Sequence, residues 1–138
     1  RVSGLAGWNG GQDSSGNGLA CVRMGDVASG GCIAAIASAR RSEQGVLVER
    51  IFAVADIGRI INADIARQQI EGGLIFGIGM ALGASTGCRQ GLPEARTSEA
   101  DPFDAGELGV AVAAPAIANA LFSATGLRFR RLPLGSDE

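Results

Sequence analysis

"GVLVERIFAVADIGRIINADIARQQIEGGLIFGIGMALG", residues 45–83, changes its hydrophobic period half-way along, and that change decides the fold class. Up to Ala55 the apolar residues alternate with a period of about two, as in a strand. Val46, Val48, Phe52 and Val54 would share one face, with Leu47, Ile51, Ala53 and Ala55 on the other. Both faces read as covered, apart from the Glu49–Arg50 pair. Asp56 and Gly58 then break the strand. Asn62 is placed as an N-cap, Asp64 falls in a first turn where an acid meets the positive end of the helix dipole, and Ile65, Gln69 and Ile70 follow at helical spacing. The stretch predicts a strand and then a long helix. Each of Gly72, Gly73, Gly77, Gly79 and Gly83 gives up about 1 kcal/mol of helix propensity relative to alanine. Their density predicts that another backbone or a cofactor comes close.

Upstream, "LACVRMGDV" and "CIAAIASARR" carry small or β-branched apolar residues around "SGG" at 29–31, which predicts two strands joined by a turn. Residues 1–18 are rich in Gly, Ser, Asn and Asp and read as loop. Downstream, residues 84–106 read as a polar connection with Pro93 and Pro102. Pro115 is expected at the first turn of a small-residue helix that Gly126 ends as a C′ glycine, and "LRFRRLPL" alternates as a final strand. The order predicts an α+β domain of mixed strands with two packed helices.

The chain has 138 residues, about one domain's worth. A formal net charge of -2 leaves no field for nucleic acid, and "RFRR" at 128–131 is too short a basic run to change that. All 12 basic residues are arginine, and Lys, His and Tyr are absent, so proton transfer would fall to Asp or Glu. Cys21, Cys32 and Cys88 form no C-x-x-C pair and read as buried or inert thiols; no metal site of protein ligands is expected. The odd cysteine count and the lack of a leader point to a reducing compartment, the cytoplasm, with the periplasm as the alternative. "GGLIFGIGMALG" at 72–83 is shorter than the roughly 20 apolar residues that span a bilayer and reads as a buried helix.

Two features remain as chemistry. Glu107 in "DAGELGV" at 104–110 sits between glycines, on backbone expected to lie upstream of the Pro115 helix; it reads as a solvated loop acid or as a general base. "RQQIEGG" at 67–73 sets Gln68, Gln69 and Glu71 beside a glycine pair, an exposed polar turn or an amide facing whatever approaches. The spacing of Gly77, Gly79 and Gly83 is no dinucleotide loop, because it lies within a helical pattern and not between a strand and a helix.

The motifs D-x-G-x-x-x-N at 56–62, Q-I-E-G-G at 69–73, G-E-x-G at 106–109 and P-A-I-A-N-A-x-x-x-A-T-G at 115–126, in this order, resemble the C-terminal part of the molybdopterin-binding large subunit of the xanthine dehydrogenase and aldehyde oxidase family, in its isoquinoline 1-oxidoreductase-like branch. The resemblance covers residues 45–134 and implies that 1–138 is a fragment of a larger cofactor-binding domain. It implies that Glu107 is the catalytic base that deprotonates the water-derived oxygen nucleophile and that Gln69 contacts the molybdenum–pterin cofactor, whose dithiolene holds the metal. The implied reaction is hydroxylation of an N-heterocycle or oxidation of an aldehyde. The implied partners are the remainder of the subunit, an iron–sulfur subunit, optionally a subunit carrying FAD, and a small-molecule substrate, with no membrane span. The connection at 84–106 is shorter than the family's, and Ala63 replaces a frequent proline. The alternative is a non-catalytic remnant or interaction module that keeps the motifs without the site.

Overall fold

The computed structural model describes residues 1–8, 10–26, 29–83, 94–96, 103 and 105–135. The elements in chain order are α1 (Val2–Ala6), β1 (Asn17–Met24), β2 (Gly31–Ser42), β3 (Gly45–Asp56), α2 (Ala63–Leu82), β4 (Glu94–Arg96) and α3 (Ala105–Thr125). The four strands form one sheet in the order β1-β2-β3-β4, antiparallel except for β4, which runs parallel to β3. The α+β expectation holds, with α3 laid across β1 and β2 and α2 packed on α3.

β3 shows why simple alternation misassigned its faces. The pairing with β2 steps from Ser38–Arg50 to Ala39–Val48, so Glu49 is an extra residue, a bulge that reverses which side the following residues face. Val48 therefore joins Ile51, Ala53 and Ala55 in the core, with Val46 packed against it, while Phe52 and Val54 take the other face. Arg40 spans the bulge with an exposed 2.7 Å ion pair to Glu49, the kind of surface pair that contributes at most about 1 kcal/mol. On that other face Ile36 is buried, where α1 lies against β2 and β3 with Val2 turned inward.

Several expectations are corrected. Residues 1–18 are not all loop: α1 forms, and β1 begins at Asn17. Cys21 and Cys32 are free and exposed, because the opposite residues of each strand face the helices; Cys88 lies outside the described residues. Pro115 does not start a helix. α3 begins at Ala105 and carries Pro115 within it, on an exposed side. An interior proline costs about 3 kcal/mol or more, and the burial of nine α3 residues offsets it. "LRFRRLPL" forms no strand. After Gly126, in the left-handed conformation at φ 74°, the chain packs back: Leu134 N–H donates to the Ala81 carbonyl at 2.6 Å, and Phe129 and Leu134 cover core. By length and composition α3 could cross a membrane, yet its buried residues face the sheet and α2. Of residues 84–106, only 94–96, 103, 105 and 106 are described.

The seat of α3 is set by one glycine. A Cβ on Gly18 would run into the backbone of Ala116, Asn119 and Ala120, so only glycine lets the helix lie flat on β1. Asn119 Nδ2 donates to the Leu19 carbonyl at 2.9 Å beside that contact and pins the helix to the edge strand.

Candidate cofactor face

The D-x-G-x-x-x-N motif is a turn that aims α2. Asp56 Oδ1 accepts the Gly58 N–H at 3.2 Å across a left-handed glycine, and Asn62 Oδ1 accepts the N–H groups of Asp64 (3.0 Å) and Ile65 (3.1 Å). These bonds satisfy two of the donors that open a helix.

The expected close approach at the glycines is made by α3 on one side of α2. Gly73 meets Gly106 and Gly109, and Gly77 meets Val110 and Ala113; a Cβ on Gly109 would stand 2.7 Å from the Ile70 oxygen and the Leu74 nitrogen. The paired numbers rise together, so the two helices run parallel. Gly83 is the left-handed C-cap of α2. Gly72 and Gly79 have nothing within 4 Å of an added Cβ.

Helical geometry then locates the two candidate residues. At about 100° per residue, Gln69 lies roughly 90° before the direction in which α2 faces α3, and Glu107 roughly 110° after the direction in which α3 faces α2. On two parallel helices that face each other, those opposite senses bring both side chains out on the same side. It is the side away from the sheet, since Ala116, Asn119 and Ala120, which seat α3 on β1, turn the other way. Gln69 and Glu107 are both exposed. Glu107 is not in a flexible loop but in the first turn of α3, where the helix dipole favours a carboxylate. The expectation went wrong with Pro115: taking it as a helix start put Glu107 outside the helix.

From Glu107 toward the C-terminal end of α3 the same side carries Val110, Ala111, Ala114 and Ala118, all small and partly buried. Gln68 is exposed. Glu71, about 200° from Gln69 around the helix, points to the opposite flank, where its Oε1 is buried without a hydrogen-bond partner. Among the described residues no three His, Cys, Asp or Glu side chains come together as a metal site. A surface hollow lined by Arg40, Ser42, Glu43, Gln44 and Leu47 lies at the β2–β3 turn and contains neither candidate.

The model of the molybdopterin cofactor-binding domain matches residues 22–98, more than half of the chain. This chain belongs to that family. It is 33% identical over 115 residues to isoquinoline 1-oxidoreductase subunit beta of Brevundimonas diminuta and 31% identical over 115 residues to a membrane-bound aldehyde dehydrogenase of Gluconacetobacter polyoxogenes, whose name carries pyrroloquinoline quinone; each alignment covers 68% of this chain and 15% of the relative. Among solved structures, the aldehyde oxidoreductase of Desulfovibrio gigas superposes with a TM-score of 0.58 at 26% identity, over 75% of this chain and 14% of that one. The matched part of the chain thus spans about one seventh of the length of these proteins, and its fold matches part of a molybdenum-cofactor-binding domain of the aldehyde oxidoreductase family.

The face fits such a cofactor. A flat organic group can lie over the small side chains, and the Gln69 amide offers it a donor and an acceptor from one position. The cap at Asn62 was legible in the sequence, and the structure brings the acid of G-E-x-G and the amide of Q-I-E-G-G out on one side of the helix pair. One signal was missed. Ile65, Phe76 and Met80 are 56%, 62% and 49% exposed on the Gln69 side of α2, and their +11 and +4 spacing marks a second apolar stripe that a reading of α2 as buried all round concealed.

Proposed function

We propose that this chain is the C-terminal part of the cofactor-binding large subunit of a molybdenum hydroxylase of the xanthine dehydrogenase and aldehyde oxidase family. Its reaction is hydroxylation of an N-heterocycle by water-derived oxygen, or oxidation of an aldehyde. The observation that carries the reading is the emergence of Gln69 and Glu107 on one open side of a parallel helix pair, in a domain whose family binds molybdopterin.

When bound, the molybdenum–pterin group supplies the two-electron redox chemistry, its metal held by the pterin dithiolene. The chain's own residues do the rest. Gln69 hydrogen-bonds the cofactor and fixes its orientation. The Glu107 carboxylate accepts the proton from the water-derived nucleophile, and the first turn of α3 holds that carboxylate at a set height above the helix pair. The alanines of α3 keep the space over them free.

Electrons leave through an iron–sulfur subunit, optionally with FAD, and the complex works in the cytoplasm on a small-molecule substrate. Co-expression of the chain with the upstream cofactor-binding polypeptide in a host that makes the pterin should give activity on an aldehyde or N-heterocycle. Glu107→Gln should lower kcat by 10²–10⁴-fold, the usual contribution of a general base, with molybdenum content unchanged. Full activity in that variant would remove Glu107 from the mechanism. Quinone in place of molybdenum in the active complex would overturn the cofactor assignment and align the chain with its Gluconacetobacter relative.

A further inference from the structure

Cys21 on β1 and Cys32 on β2 form no motif in the sequence, yet the strand pairing brings them together. Cys21 pairs with Ala34 and Cys32 with Arg23, so the two cysteines are diagonal neighbours across the β1–β2 ladder. Their side chains share one face. Ala20, Val22 and Met24 of β1 and Ile33 and Ala35 of β2 point into the core, and strand alternation therefore turns Cys21, Arg23, Cys32 and Ala34 the other way. Both thiols are free and exposed. β1 is also the edge of the sheet, so the pair is open from the side as well as from the face.

Diagonal neighbours in an antiparallel ladder stand about 7–8 Å apart, their Cβ atoms somewhat closer. A disulfide needs its Cα atoms within about 7 Å, so a direct S–S bond here would require the backbone to move. A single ion between two thiolates requires less, because two metal–sulfur bonds of about 2.3 Å each fill the gap. Among the described residues no third His, Cys, Asp or Glu joins the pair as a ligand group. Asp56 lies opposite Cys32 on β3, but its Oδ1 accepts the Gly58 N–H in the turn. Two sulfurs exclude tetrahedral zinc and four-cysteine iron–sulfur clusters, which take four ligands. They leave the soft cation of low coordination number that thiolates select, Cu(I). Arg23, directly opposite Cys32, offsets the negative charge left when two thiolates hold one monovalent ion.

We propose that Cys21 and Cys32 form a two-thiolate site for a soft monovalent cation of the Cu(I) type, on the face of the sheet away from α2 and α3. The site goes beyond the function proposed above and stands without it, since α3 packs on the opposite face of β1 and β2. Uptake exchanges the two thiol protons for the ion. An open site of this kind suits an ion that is taken up and passed on, because structural metal sites are closed.

Anaerobic titration of the fully reduced chain with Cu(I), in competition with a chromogenic Cu(I) chelator, tests the site. The wild type should take up about one ion per chain, with sulfur as the ligand atom in X-ray absorption. Cys21→Ser and Cys32→Ser should each lower the affinity at least about 100-fold, the upper end of what loss of a mere supporting partner costs. Both variants should melt like the wild type, because both thiols are exposed. Cys88→Ser should leave uptake unchanged. Retained affinity in either strand variant, or loss of uptake in Cys88→Ser, would overturn the site. So would a wild-type chain that takes up no Cu(I). Closure of a Cys21–Cys32 disulfide by hydrogen peroxide in such a chain, with the peroxide reduced to water by the two thiols, would make the pair a redox couple instead.

Discussion

The two sides of α2 are built from the same residue types and do opposite things. On the inner side Gly73 and Gly77 lie against the backbone of α3, and Ile70, Leu74 and Ile78 are buried between the elements. On the outer side Gly72 and Gly79 meet nothing, and Ile65, Phe76 and Met80 stand in solvent around Gln69. The inner side is finished by this chain. The outer side is an open surface that carries the residues expected to do chemistry. A helix that is apolar all round is normally buried all round, so the contrast points to a domain that makes its own core and leaves one face for other atoms.

The contrast can be broken by substitutions that should matter on one side alone. Gly109→Ala is the largest. Its Cβ would meet the backbone of Ile70 and Leu74 at 2.7 Å, which neither helix can yield without separating, so a loss on the order of 3 kcal/mol and a melting point lower by about 10 °C are expected. Gln69→Ala, on the outer side, should leave the melting point of the chain alone unchanged and lower molybdenum retained by the complete complex about tenfold during dialysis, the equivalent of roughly one hydrogen bond. Asn62→Ala removes the cap that starts both sides together and should cost about 1 kcal/mol in chemical denaturation. Gly72→Ala is the smallest and has the opposite sign: with open space around it, the chain alone should gain up to about 1 kcal/mol from helix propensity. Destabilisation by Gly72→Ala of a size comparable to Gly109→Ala would mean that the two sides do not differ.

Much of this architecture was legible in the residues. The strand–turn–helix run from Gly45 to Gly83 was read with its ends nearly right, because alternation, the Asp56–Gly58 break and the Asn62 cap are local signals. What failed was non-local. The bulge at Glu49 is a property of the pairing with β2 and leaves no mark in the periodicity of β3 by itself. Pro115 resembles a helix start until its neighbours are known; the helix runs through it because Gly106 and Gly109 let α3 begin earlier, against α2. The same cause hid the geometry of the two candidates: with Glu107 assigned to a loop, nothing in the residue pattern placed it on a common side with Gln69. Which glycines of α2 were needed for contact was equally invisible, since glycine density predicts a neighbour without saying which face it takes.

Molybdenum analysis of the chain purified together with its upstream cofactor-binding polypeptide, from a host that makes the pterin, tests the central claim most directly. Near one molybdenum per complex is the predicted result, and it would make the open side of the α2–α3 pair part of a working cofactor site. A folded, stable complex with no molybdenum would contradict it and leave Glu107 and Gln69 as inherited surface residues on an interaction module.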